Sequence, residues 1–176
     1  RFTIEGLKAG GAAWCDAISF HPYATPQIGS PYPADEQIRE FHRQIAPFHA
    51  PVTWNTELFY LRQADYRDHY NSSLFEPHHA ATRFLTDLGE GVTQSCPVHI
   101  DSVWKKTIHE RFRAFVSLNG TDGTFSAIGV AYNPLARFFE GARPVDKIRY
   151  PNGVICYVFT RDGREIAALW NYASRR

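Results

Sequence analysis

The sequence predicts an α/β domain with parallel strands, followed by a small antiparallel sheet. Short apolar runs typical of buried strands alternate with longer segments whose apolar residues recur at helical spacing. Such alternation is typical of parallel strands with helices packed outside them. After Pro144 the pattern changes to short strands joined by turn signals. The 176 residues are 44% hydrophobic and 21% charged, which is typical of a folded domain with one core rather than of a disordered chain.

The first part of the chain contains the helices and the apolar strands. Ile38, Phe41 and Ile45 lie at helical spacing, after acidic residues that suit the first turn of a helix. The run Val52–Thr56 is β-branched and aromatic, which favours a strand. In order, we expect the end of a helix in residues 2–13, a strand at 17–20, a proline-rich loop, a helix at 35–49, a strand at 52–56, a polar loop at 62–75, a helix at 77–88, a strand within 92–104 and a helix at 127–140.

The second part of the chain reads as an antiparallel meander. Strands are predicted at residues 148–150, 154–160 and 165–170. Pro-Asn-Gly and Arg-Asp-Gly separate these strands, and both are hairpin turn signals. We therefore expect a boundary between residues 142 and 143, with a separate small β domain over 143–176.

Several classes of function are disfavoured by composition. A net charge of +1 without a dense stripe of lysine and arginine argues against nucleic-acid binding. No apolar run is long enough to span a membrane. The three cysteines, Cys15, Cys96 and Cys156, are far apart and form no Cys-x-x-Cys motif, so they predict neither a zinc site nor a disulfide framework, although one pair could bridge. We expect no metal, no cofactor, no nucleic acid and no membrane as partners.

Polar residues follow two of the predicted strands. His21 and Tyr23 come after the strand at 17–20, and Glu57 comes after the strand at 52–56. The carboxyl edge of a parallel sheet is where ligands bind in α/β folds, and a carboxylate there is costly unless it is paired or faces a cleft. Two alternatives stay open: His21 and Tyr23 could hydrogen-bond loop backbone, and Glu57 could be a solvated residue at a strand end.

These segments resemble a known enzyme clan. Asp16-Ala-Ile-Ser-Phe-His21-Pro-Tyr23, then a helix, then a hydrophobic strand ending in Thr56-Glu57 is similar to strands six and seven of the retaining glycoside hydrolases of clan A. These (β/α)8 barrels include the family 39 xylosidases and the family 5 glycanases. The helix at 129–141 and the hairpins resemble the last barrel helix and the small C-terminal β domain of such enzymes.

The resemblance implies a fold. Residues 1–142 would be the C-terminal portion of a TIM (β/α)8 barrel, with strands six to eight, and residues 143–176 the start of a β-sandwich-like domain. Three strand–helix units are too few for a complete barrel. The chain begins at Arg1, contains no methionine and ends just after a strand-like run, so we expect a piece of a larger protein, truncated at both ends.

The resemblance also implies an activity, the retaining hydrolysis of O-glycosidic bonds in a plant or microbial glycan. Glu57 would be the nucleophile that forms a covalent glycosyl-enzyme. His21 and Tyr23 would line the sugar subsite, with Tyr23 hydrogen-bonded to the nucleophile. Trp104 would be the aromatic platform beneath the sugar, with ordinary core packing as the alternative.

One part of the catalytic pair is missing from this sequence. A retaining glycosidase needs two carboxyl groups about 5–5.5 Å apart. In the clan the acid/base glutamate follows an asparagine, and no Asn-Glu dipeptide occurs here. The acid/base would lie before Arg1 or be absent, and we expect this piece alone to be inactive. Its expected partners are a carbohydrate substrate and the missing N-terminal half of the barrel or another copy of the chain.

Two other functions remain open at this stage. One is a non-catalytic carbohydrate-binding protein on the same barrel scaffold, which would use the same aromatic residues. The high aromatic content, 15% of the chain, suits either a bulky core or a surface on which sugars stack. The other is an unrelated α/β scaffold domain, which would leave the polar strand ends unexplained.

Overall fold

The structure, a computed structural model, is a mixed α/β fold with a parallel three-stranded sheet and a separate antiparallel three-stranded sheet. It describes residues 2–22, 34–58, 77–97, 124–125 and 127–171. Within those ranges, no helix combines the length and the apolar character needed to cross a membrane. The elements are α1 (Phe2–Lys8), β1 (Ala17–Phe20), α2 (Ala34–Ile45), β2 (Val52–Leu58), α3 (Pro77–Gly89), β3 (Gln94–Pro97), α4 (Ala127–Phe139), β4 (Arg143–Arg149), β5 (Val154–Arg161) and β6 (Arg164–Asn171).

The parallel sheet has the strand order β1-β2-β3, so each strand pairs with the next one in the chain. Ala17 lies opposite Val52 and Phe20 opposite Asn55, in parallel register. Parallel neighbours need a crossover connection, and α2 and α3 lie between the successive strands in sequence. The predicted alternation of strands and helices is therefore confirmed for this part of the chain.

A small apolar core lies between the parallel sheet and the first two helices. Leu7 of α1, Ile18 of β1 and Ile45 of α2 are buried together. The rings of Phe20 and Phe41 stack with centroids 4.6 Å apart and planes 12° from parallel. These contacts hold β1 against α2. The apolar residues of α2 can face β1 together because they recur at helical spacing.

The antiparallel sheet has the order β4-β5-β6 and is built from two tight hairpins. At the second hairpin Asp162 has φ 51° and Gly163 has φ 72°. Positive φ at both central residues matches the right-handed twist of hairpin strands, which is why Asp-Gly is a preferred pair there. The predicted meander is confirmed.

The inner face of the antiparallel sheet packs against α3 and α4. Tyr157 and Phe159 of β5 are fully buried, and the ring of Phe159 meets that of Phe139 edge to face at 5.0 Å. This is the larger apolar core of the described residues, and it consists of Leu85, Ala142, Ile155, Tyr157, Phe159 and Ala168, with Leu88, Leu135, Phe139, Ile166 and Trp170 packed against them.

Some predicted boundaries are wrong, and proline explains two of them. The helix expected over 35–49 ends at Ile45 and continues as a 3₁₀ turn, because Pro47 cannot donate the next helical hydrogen bond. The strand expected at 148–150 begins at Arg143. Pro144 is tolerated there because β4 is an edge strand whose register shifts between Pro144 and Asp146. The helix end expected within residues 2–13 is confirmed, because the helix ends at Lys8 and a separate 3₁₀ turn follows Gly10.

Candidate functional site

Two of the residues expected at the site meet at the carboxyl edge of the parallel sheet. The register that sets Phe20 opposite Asn55 brings His21 beside the end of β2. There the Nδ1 atom of His21 lies 3.7 Å from Oε2 of Glu57, and the two side chains are 35% and 45% exposed. Glu57 lies within β2 rather than just after it, because the strand runs two residues further than predicted. The imidazole and the carboxylate are adjacent and open to solvent.

Two hydroxyl groups also belong to this arrangement. The Nε2 atom of His21 lies 2.9 Å from Oγ1 of Thr56, and that oxygen is 2.5 Å from Oγ of Ser19. Sequence reasoning did not single out Ser19 or Thr56. The signal available for Ser19 was its spacing, since it precedes His21 by two residues and so shares its side of the extended chain. No such signal marks Thr56.

The other two expected residues, Tyr23 and Trp104, lie outside the described residues, so their roles remain expectations. Within the described ranges, no group of three or more histidines, cysteines, aspartates and glutamates is arranged to hold a metal ion. The three cysteines are unbridged: Cys15 is exposed, Cys96 is partly buried and Cys156 is buried.

A buried polar network holds β2 and β3 to α3 directly behind the site. The carboxylate of Asp87 accepts a hydrogen bond from Asn55 Nδ2 at 2.7 Å and one from Ser95 Oγ at 2.7 Å. Its second oxygen accepts from Nε of Arg83 at 2.8 Å. Arg83 and Asp87 are 1% and 0% exposed. Because Asn55 immediately precedes Thr56, the network fixes the backbone from which the site residues project.

A second threonine–histidine contact lies on the helix-facing side of β2. Oγ1 of Thr53 is 2.7 Å from Nε2 of His42, which belongs to α2. Burial lowers the pKa of His42, and the nearby negative charge of Glu90 opposes that shift only in part. The strand thus carries a threonine–imidazole contact on each of its faces, one buried and one at the open edge.

The two faces of β2 differ in exposure. Thr53 and Asn55 are buried, whereas Val52 and Trp54 are 49% and 38% exposed. Side chains alternate between the faces of a strand, so Trp54 shares the open face with Thr56. The sequence predicts a buried strand here, but the residues that the structure describes cover only the helix-facing side of β2. The carboxylate, imidazole and hydroxyls at the end of the strand suit hydrogen bonding to a polar ring such as a sugar. The exposed indole of Trp54 is a surface on which such a ring can stack.

Comparison with known proteins finds a similarity to a solved structure. A solved structure described as a family 39 glycoside hydrolase from the gut symbiont Bacteroides cellulosilyticus WH2 matches this fold with a TM-score of 0.62 over 97% of this chain, at 16% sequence identity. This chain spans 37% of the length of that one. No protein-family model matches the sequence, and no curated protein matches it. At such identity the similarity shows that the fold is like part of a glycoside hydrolase.

Proposed function

We propose that this chain is the C-terminal portion of a retaining (β/α)8 glycoside hydrolase, in which β1, β2 and β3 are barrel strands six, seven and eight. Residues 143–176 would then begin the C-terminal β domain. The substrate class is an O-glycoside of a plant or microbial glycan. The fold similarity supports the class of protein, and the residue roles rest on the resemblance of the strand-end motifs.

One observation carries the proposal. His21 and Glu57 meet at the carboxyl edge of a parallel sheet, in a fold like part of a family 39 glycoside hydrolase. Ligands bind at that edge in α/β barrels. A half-exposed carboxylate at that position can reach a bound sugar, and a carboxylate buried in the sheet could not.

In the proposed reaction a carboxylate oxygen of Glu57 attacks the anomeric carbon of the sugar. A bond forms between that oxygen and the carbon, the bond to the leaving oxygen breaks, and a second carboxylic acid gives its proton to the leaving oxygen. Water then attacks the same carbon, frees Glu57 and returns a proton to the acid/base. His21 and Tyr23 would bind sugar hydroxyls, and Trp104 would stack beneath the ring.

The acid/base residue would come from the N-terminal half of the barrel. No Asn-Glu dipeptide of the clan's type occurs among the 176 residues. The proposed partner is therefore the segment that carries strands one to five, and the strand edge of β1 is where that segment would pair.

Covalent trapping tests the role of Glu57 directly. A 2-deoxy-2-fluoro glycosyl fluoride or dinitrophenyl glycoside carries a leaving group that departs without protonation, so labelling does not require the acid/base. We expect the protein, treated with a panel of such sugars, to gain the mass of one fluorosugar on the peptide that contains Glu57. The variant Glu57→Gln should remain unlabelled, with turnover reduced at least about 10⁴-fold in the full-length enzyme.

The variant Glu165→Gln is the matched control, because it makes the same change at an exposed carboxylate of β6. It should label as the unmodified protein does. Label on another residue, or full turnover by Glu57→Gln, would exclude the assignment. Saccharide binding without any covalent label would instead favour the non-catalytic carbohydrate-binding function.

A further inference from the structure

We infer that Ser19 and Thr56 are positioning residues, which fix the tautomer of His21 and so direct its Nδ1–H at the carboxylate of Glu57. The inference rests on the proposed function only for the catalytic role of Glu57. The contacts among Ser19, Thr56, His21 and Glu57 follow from the geometry of β1 and β2, whatever the reaction.

The chain of contacts crosses from one strand to the other and back. Oγ of Ser19, on β1, is 2.5 Å from Oγ1 of Thr56, on β2. Oγ1 of Thr56 is 2.9 Å from Nε2 of His21, which follows β1. Nδ1 of His21 then lies 3.7 Å from Oε2 of Glu57. The last contact is longer than a hydrogen bond, and catalytic contacts of this kind are often long in a free enzyme and shorten when substrate binds.

Among the contacts just described, the hydrogen-bonding capacities of the groups favour one arrangement for a neutral imidazole. An ionised carboxylate only accepts, so the Nδ1 that faces Glu57 must carry the proton. A neutral imidazole with Nδ1–H has an acceptor at Nε2, so Thr56 must donate its hydroxyl proton to His21. Thr56 then has only its lone pairs left, and Ser19 must donate to Thr56. In this arrangement Ser19 donates its hydroxyl proton to Thr56, and Thr56 donates its hydroxyl proton to His21.

The benefit of this order is preorganisation. Without the donor at Thr56, the imidazole can place its proton on Nε2 and turn a lone pair toward Glu57, which repels the carboxylate. With the donor in place, Nδ1 carries the proton and presents a hydrogen-bond donor to Glu57. A fixed donor next to a nucleophile holds its orientation before the substrate arrives, which lowers the barrier to attack.

The contact between Thr53 and His42 supplies an internal control. It pairs the same two residue types at 2.7 Å on the same strand, but on the buried face. Removing the Thr53 hydroxyl should disturb β2 at least as much as removing the Thr56 hydroxyl, because Thr53 is buried. Only the change at Thr56 should alter the imidazole that faces Glu57.

The experiment measures the tautomer of His21 by ¹⁵N NMR of the full chain with labelled histidine, with the signal assigned by its loss in His21→Gln. We expect the Nδ1–H tautomer in the unmodified protein. Thr56→Val, which replaces the hydroxyl by a methyl group, should move His21 toward Nε2–H and slow fluorosugar labelling of Glu57 roughly tenfold, the scale of one hydrogen bond. Thr56→Ser should restore both, and Thr53→Val should change neither.

The outcomes separate the two proposals. An Nε2–H tautomer in the unmodified protein, or a tautomer that Thr56→Val leaves unchanged, overturns the positioning role even if Glu57 is labelled. An Nδ1–H tautomer that Thr56→Val shifts supports it even if no fluorosugar labels any variant, and that absence of label counts against the proposed function alone. If Thr53→Val and Thr56→Val slow labelling equally, both threonines act only by stabilising β2, and the positioning role of Thr56 is overturned.

Discussion

Helix α3 lies between the two sheets, and its two sides use opposite chemistry. Toward the parallel sheet it presents Arg83 and Asp87, whose buried charges are hydrogen-bonded to one another. The carboxylate of Asp87 also accepts a hydrogen bond from Asn55. Toward the antiparallel sheet it presents Leu85 and Leu88, which pack into the aromatic core. One helix therefore joins two layers. The polar layer is the network of Arg83, Asp87, Asn55 and Ser95, and the apolar layer is the core around Tyr157 and Phe159.

The comparison indicates different tasks for the two layers. An apolar layer gains free energy from every buried methylene and tolerates many packings. A buried ion pair adds little net stability, because desolvation offsets attraction, but leaving one partner without the other is costly. We interpret the polar layer as fixing the register of β2 and β3 behind Glu57, and the apolar layer as the main source of stability.

The largest expected effect comes from breaking the polar layer. Asp87→Ala removes a carboxylate that pairs with the buried guanidinium of Arg83 and accepts from Asn55 and Ser95, so we expect the free energy of unfolding to fall by about 3–5 kcal/mol. Urea unfolding of the full chain measures this loss. The double variant Arg83→Met, Asp87→Leu removes both charges and should recover at least half of it. A loss below about 1 kcal/mol for Asp87→Ala would show that the layer is hydrated rather than dry.

A smaller effect is expected from crowding the apolar layer. A Cβ added at Gly89, the last residue of α3, would overlap the ring of Tyr157. Forcing that ring aside should cost about 1–3 kcal/mol in Gly89→Ala. Gly6→Ala is the control in another helix, because a Cβ at Gly6 meets nothing within 4 Å, and it should be neutral or stabilising by up to about 1 kcal/mol. Equal unfolding midpoints for the two variants would contradict the packing argument.

The same contrast explains which parts of the fold could be predicted from the sequence. The hairpins could be predicted, because Arg-Asp-Gly favours positive φ and because polar and apolar residues alternate along the strands. The apolar sides of the helices could also be predicted, because their apolar residues recur at helical spacing. The polar layer could not, because Arg83 and Asp87 at four-residue spacing look like a solvated surface pair, and only tertiary packing shows that they are 1% and 0% exposed.

The candidate site was predictable in part for a related reason. His21 and Glu57 could be chosen because polar residues at the ends of apolar strands stand out in a sequence. Ser19 and Thr56 could not, because single hydroxyl residues are common in strands, and their contact depends on the parallel register of β1 with β2. The pairing of strands distant in sequence is a tertiary property that spacing along one strand does not encode.

A third group of charges lies where the two layers meet. Lys147 of β4 contacts both Asp35 of α2 and Glu90, which follows α3. Arg149 also contacts Asp35, and the hydroxyl of Tyr157 donates to Glu90 at 2.5 Å. These contacts connect the antiparallel sheet to the helices of the parallel sheet, so they couple the stability of one layer to that of the other.

Removing the charge of Asp35 at this junction should have the smallest effect on the free energy of unfolding at neutral pH. The contribution of that charge is measured by how stability changes with pH. Burial raises the pKa of Asp35, but the hydrogen bond and charge of Lys147 and the charges of Arg149 and Arg39 outweigh burial, and the pKa lies below its usual value. A carboxyl group with a depressed pKa in the folded state stabilises the fold above its unfolded pKa, about 3.9, and that contribution is lost as the pH falls through the folded pKa.

Thermal unfolding midpoints of the protein and of Asp35→Asn, measured from pH 7 to pH 2.5, test this junction. Asp35→Asn should be modestly less stable at pH 7, because Glu90 still pairs with Lys147, and the gap should narrow below about pH 4 as Asp35 itself becomes neutral. His42, whose pKa burial lowers, destabilises both proteins alike as the pH falls below about 6.5, so it cancels in the difference. A gap that stays constant from pH 7 to pH 2.5 would mean that Asp35 contributes to this junction through packing rather than charge.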